Sequence, residues 1–132
     1  MRPDNEVILV AYRHFNAREI DSVLELMHPD VDWPNGMDGG RVLGRAAVRE
    51  YWVRQWAMID PHVEPVNLAA DESGDLVVDV HQIVRNLDGL VLMDRMLQHV
   101  YRMRGGLIVQ MEIREAAATG HGGHIDTIAN RA

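Results

Sequence analysis

The side chains of this chain that could do chemistry are imidazoles and carboxylates. His62, His81 and His99 fall in strand-like runs, and Asp79 stands two residues before His81, on the same face of an extended segment. An imidazole titrates near neutral pH, so it can remove a proton beside a carbonyl and return one to a leaving hydroxyl. A carboxylate at Asp79 could raise the basicity of His81. Other chemistries lack their residues. There is no cysteine, hence no thiolate nucleophile and no disulfide. There is no lysine, since all 13 basic residues are arginine, and Schiff-base chemistry is excluded. Ser22 lies in a helical pattern and Ser73 in the turn Asp71-Glu72-Ser73-Gly74-Asp75, so neither sits on a nucleophile elbow.

The elements that must position these groups follow from periodicity. Helix one is expected over about Asn5–Asn16, N-capped by Asp4, with Ile8, Ala11, Tyr12 and Phe15 on one buried face. Helix two is expected over about Glu19–Met27, stopped by His28-Pro29. A short apolar strand ends in the bend Trp33-Pro34-Asn35, and a Gly-rich loop leads to helix three at Arg45–Met58. That helix turns Val48, Tyr51, Trp52 and Trp56 inward, a stripe that reads first as core packing. After Pro61 the period becomes two, with strands at about His62–Ala70, Leu76–Asn86, Leu90–Arg104 and Leu107–Glu115. Helices followed by a meander of long antiparallel strands make an α+β plan. Residues 1–115 read as one domain and 116–132 as a flexible tail.

Composition bounds the partners. The chain has 132 residues, 47% of them hydrophobic, and a net charge of −7. An acidic surface repels phosphate backbones and anionic lipid, which argues against nucleic acid or membrane partners. No apolar run approaches ~20 residues and no signal peptide is evident at Met1–Glu6, so a cytoplasmic location is expected. His121 and His124 are metal-capable but lack a rigid frame, so no metal is expected.

Four ordered segments resemble the SnoaL-like branch of the nuclear transport factor 2-like superfamily. They are Phe15-Asn16-Ala17-Arg18-Glu19-Ile20-Asp21, the His-Pro-Asp-Val-Asp-Trp run from His28, Gly44-Arg45-Ala46-Ala47-Val48, and the hairpin from His99 to Val109. The resemblance implies a cystatin-like cone, with three N-terminal helices packed on a curved, mostly antiparallel sheet around an apolar pocket, and commonly a homodimer. It implies no cofactor. It also supplies templates to test. Where ketosteroid isomerases carry a base Asp, a helix-one Tyr and a late-strand Asp, this chain aligns Asn35, Ala11 and His99. Limonene-type epoxide hydrolases need an Arg-x-Asp pair that Asp79-Val80-His81 replaces, and a second Asp near Ile113. Scytalone-type dehydratases fit better: His62 and His81 fall on their two histidine positions, although Phe15 and Asn16 stand in place of Tyr and Asp.

Alternation alone makes His81 a solvated residue, opposite Leu76, Val78, Val80 and Val84; only the resemblance turns it inward. Two readings therefore stand. In the first, the chain is a cofactor-free lyase, isomerase or cyclase for a small apolar carbonyl-bearing ring compound. His81 would be base or acid, with Asp79 beside it and His62 as the second proton-transfer group, while Asn35 and His99 orient an oxygen. Trp33, Tyr12, Phe15, Tyr51, Trp52, Tyr101 and Met111 would line the substrate pocket. In the second, the chain is a ligand-binding or accessory dimer of the same fold.

Overall fold

The computed structural model describes residues 2–115. The elements run α1 (Asp4–Asn16), α2 (Ile20–Leu24), β1 (Met27–Pro34), β2 (Arg41–Leu43), α3 (Arg45–Trp56), β3 (Ile59–Ala70), β4 (Leu76–Asn86), β5 (Val91–Arg104) and β6 (Leu107–Glu115). The six strands form one sheet in the order β2-β1-β6-β5-β4-β3. Every pairing is antiparallel except β1 with β6, which is parallel. The architecture is therefore α+β, with the helices in the N-terminal half of the chain.

Three local expectations are corrected. Pro3, not Asp4, occupies the N-cap of α1, and no side chain caps it; Asp4 and Glu6 instead sit in the first turn, where the helix dipole favours acids. Helix α2 is only five residues long and ends before Met27. The reason is tertiary: Ile108 N–H donates to the Leu26 carbonyl at 2.9 Å, which draws Met27 into the sheet opposite Ile108. Met27 is fully buried there. Strand β3 begins at Ile59, ahead of the expected start, and tolerates Pro61 and Pro65 because it is an edge strand.

One face of the sheet carries the core. On β4, Val78 and Val80 are wholly buried and Val84 nearly so, while Asp79 and His81 point to the other face. On β5, Leu97, His99 and Tyr101 share the buried face, paired with Val80, Val78 and Leu76. Against it pack Ile8 and Tyr12 of α1 and Val48 and Trp52 of α3. Each such aliphatic burial contributes about 1.5–3 kcal/mol. Register shifts leave Val66 on β3, Leu92 on β5 and Val109 on β6 as extra residues, bulges that bend strands and sharpen their twist.

Polar ties hold the helices to this face. The Asn16 amide donates to the Val63 carbonyl at 2.8 Å and accepts from the Val63 N–H at 3.0 Å, so it pairs the free edge of β3 as a strand would. Arg18, the one non-glycine residue at positive φ (64°) among the described residues, links four points. Its guanidinium donates to the Phe15 and Pro61 carbonyls, pairs with Asp60, and lies 5.0 Å from the centre of the Trp56 ring. Gly44 starts α3 at φ 88°, a conformation suited to glycine, and its N–H meets the Val31 carbonyl at 2.7 Å.

Candidate functional site

The buried face of the sheet and the helices enclose one cavity whose walls come from α1, α2, β1, α3, β3, β5 and β6. Tyr12 and Phe15 enter from α1, Trp33 from β1, Trp52 from α3, and His99 and Tyr101 from β5. The aromatic rings meet mostly edge to face: Trp33 against Trp52 at 5.5 Å and 90°, Phe15 against Trp52 at 5.2 Å and 72°. The free space is about 40 Å³, room for roughly three waters. A ring compound enters only if these side chains move apart.

The walls are apolar except at one point. Tyr12 Oη and His99 Nδ1 lie 2.8 Å apart, their rings stacked at 5.9 Å and 18°. His99 is 6% exposed and is the one buried polar or charged residue among those described. Burial disfavours its charged form and lowers its pKa from the ordinary 6.5 to about 4. Burial likewise raises the Tyr101 phenol, and raises Tyr12 with help from the neighbouring Tyr101. All three groups are therefore neutral through the physiological range. With Tyr12 donating to Nδ1, the imidazole carries its hydrogen on Nε2, where it can donate to an oxygen in the cavity; with the roles reversed, Nε2 accepts. The pair can polarise an oxygen or pass a proton, while a full charge there is costly.

The other candidates do not converge on this point. His81 is 40% exposed and its Nε2 lies 2.6 Å from Asp94 Oδ1 on the far face of the sheet. The expectation that the resemblance turns His81 toward the pocket is corrected, because strand alternation puts Val78 and Val80, not His81, on the buried face. Asp79 shares His81's face and accepts from the Gln98 amide at 2.8 Å. His62 is about half exposed, its Nε2 3.1 Å from Glu64 Oε2. Asn35 is spent on its own turn, its Oδ1 accepting from the Met37 and Asp38 N–H groups. Tyr51 and Met111 are buried but sit behind the cavity wall, and the Tyr51 hydroxyl accepts from the Gly36 N–H at 3.0 Å. No cluster of three metal-ligating side chains exists among the described residues, and His121 and His124 lie outside them.

What the sequence reading missed is the Tyr12–His99 pair. The isomerase template placed its helix-one tyrosine at Ala11; Ala11 and Tyr12 both line the cavity. A usable signal existed. A phenol on the same helical stripe as Ile8 and Phe15 must be buried and must find a partner. The partner lies 87 residues away, which periodicity cannot reach.

Comparison with known proteins fits this geometry to a family. The model of the SnoaL-like domain matches residues 10–111, a span that includes every cavity-lining residue. The chain belongs to the SnoaL-like domain family. No match is found among curated proteins. Among solved structures, TerC, co-crystallised with polyporic acid, is 29% identical with a TM-score of 0.75, over 92% of this chain and 98% of that one. RV0760c from Mycobacterium tuberculosis, in complex with estradiol-17β-hemisuccinate, is 20% identical with a TM-score of 0.73, over 86% and 93%. SalBIII, an epoxide hydrolase/cyclase-like enzyme with a role in pyran ring formation in the polyether salinomycin, is 20% identical with a TM-score of 0.72, over 84% and 88%. The last two likenesses establish the fold alone.

Proposed function

We propose that this SnoaL-like protein is a cofactor-free lyase, isomerase or cyclase for a small, mostly apolar ring compound, with Tyr12 and His99 as the pair that acts on its oxygen. One observation carries the reading: the 2.8 Å Tyr12–His99 bond is set in an otherwise apolar, aromatic-walled cavity. The acid–base role assigned to His81 from the resemblance passes to His99, with Tyr12 completing the pair and Tyr101 beside it. Family membership supports the class, and the small-molecule complexes of TerC and RV0760c support a ligand in this cavity.

A second reading, a binding protein without chemistry, is favoured by the same burial. An imidazole whose pKa is lowered to about 4 is a weak base. Trp33 and Trp52 line the cavity, so their fluorescence reports occupancy. Titration with 2-tetralone is expected to quench it saturably, and His99→Ala to weaken binding about tenfold, the worth of one hydrogen bond. Exchange of the probe's α-hydrogens in deuterated water then separates the readings. Catalysis requires acceleration that falls roughly 10²–10⁴-fold in His99→Ala. Binding without exchange leaves the accessory reading; no quench with any ring probe sinks both.

The chain is further proposed to act as a homodimer. The tip of the β4–β5 hairpin exposes Leu87, Leu90, Val91 and Leu92, and Met96 lies beside His81 on the far face of the sheet. Contiguous exposed apolar surface of this kind marks an interaction site. A monomer by light scattering at micromolar concentration would overturn this.

A further inference from the structure

We propose that this pocket takes its ligand un-ionised: a small ring compound bearing a phenol or enol hydroxyl whose proton stays on oxygen when bound. The inference rests on the pocket reading above and adds the charge state that the pocket selects.

The wall residues carry it. Of the eleven side chains that line the cavity, only Tyr12, His99 and Tyr101 titrate, and none is charged at neutral pH; α2, β1, α3, β3 and β6 contribute only apolar side chains and the Trp33 and Trp52 indoles. No arginine is among the lining residues, and three that bind the surrounding backbone are committed there. Arg18 binds the Phe15 and Pro61 carbonyls and Asp60. Arg41 donates to the Met111 carbonyl at 2.7 Å and pairs with Asp32 at 2.6 Å. Arg45 donates to the Met27 carbonyl at 2.9 Å. A bound anion would find no cation to offset its lost hydration.

Hydrogen bonding does not supply the deficit. The Tyr12–His99 bond consumes one donor of the pair, so that couple leaves one hydrogen for the ligand and the Tyr101 hydroxyl at most one more, both from neutral groups. The pocket's own phenol shows the consequence for a guest hydroxyl. Burial pushes Tyr101 up, and pushes His99 down to about 4, so both resist charge for the same reason. A ligand hydroxyl lodged beside them meets the same environment and holds its proton more tightly than in water. An acidic group on a larger ligand would have to remain at the mouth, in water.

The test uses 4-nitrophenol, a single ring that ionises near neutral pH and is yellow only as the phenolate. The wild-type protein is added in excess at the pH where the free probe is half ionised. Tryptophan quenching reads occupancy, and the visible absorbance reads charge state. Expected is quenching with loss of yellow colour, the midpoint of ionisation moving up by about one pH unit or more, equivalent to a tenfold or greater preference for the phenol. Quenching with unchanged or deepened colour overturns the proposal and leaves the pocket reading standing. Absence of quenching overturns the proposal, and the pocket reading then stands or falls on the 2-tetralone titration. Ala11→Leu, which fills the cavity, is expected to abolish both signals; bleaching retained in the folded variant would place the probe elsewhere and overturn the proposal. Should that variant not fold, NMR contacts between the probe and the His99 and Tyr101 rings of the wild type decide its location, with their absence counting against the proposal.

Discussion

His81 and His99 lie on neighbouring strands of one sheet, each within hydrogen-bond reach of one side-chain partner, and they inhabit different chemistries. His81 projects from the far face, 40% exposed, against the Asp94 carboxylate at 2.6 Å. His99 projects from the buried face, 6% exposed, against the Tyr12 hydroxyl at 2.8 Å. Strand parity decides which face each occupies, and the face decides the rest. His81 meets water and a carboxylate. Aromatic walls and a neutral phenol keep His99 neutral. Clustering of histidines along a sequence is thus no guide to a site until parity is known.

The largest expected difference between the faces is in packing. Trp52→Ala, at a residue 1% exposed that also walls the cavity, should cost about 3–5 kcal/mol in chemical denaturation. A loss under about 1 kcal/mol would mean that the buried face is already loose.

The next contrast is pH. The folded-state pKa of His99 is lowered to about 4 from an unfolded value near 6.5, so the unfolded chain binds the extra proton between those limits. Stability from this group is therefore full above about pH 6.5 and falls as pH drops, by about 3 kcal/mol once pH reaches about 4. His99→Gln should remove that part of the acid sensitivity, measured as denaturation midpoints from pH 7 to 4. An unchanged pH dependence in the variant would contradict the burial of His99.

Tyr12→Phe should cost about 1–3 kcal/mol, because it leaves the buried Nδ1 of His99 unpaired. A neutral result would mean that water reaches that nitrogen. Smallest of all, His81→Ala should change stability by no more than about 0.5 kcal/mol and leave ring-compound binding unaltered. A His81→Ala protein that binds no probe would erase the distinction between the faces.

Much of the fold was legible in the sequence, and the reasons differ by element. The long strands announced themselves by Val78-x-Val80 alternation and by the turns at Asp88-Gly89 and Gly105-Gly106. Helix α1 announced itself by Ile8, Ala11, Tyr12 and Phe15. Helix α2 was overextended because Leu24 and Met27 keep a helical spacing, while the bond from Ile108 that ends the helix is tertiary. For the site, Tyr12, Phe15, Trp33, Trp52 and Tyr101, expected to line a pocket on the family resemblance, all reach the cavity, whereas the stripe on helix three alone had read as core packing. The polar pair was not, because Tyr12 and His99 meet only through the packing of α1 on β5. His81 was misjudged when family analogy was weighed against parity; the valines beside it had already settled which face is dry.

The most direct test of the Tyr12–His99 site is a pH titration of the His99 ring nitrogens by NMR, assigned through His99→Gln. Expected is a neutral imidazole held in one tautomer down to about pH 4, with Nε2 shifting when a ring compound binds. A His99 that protonates near pH 6.5, with no response to any ligand, would contradict the site.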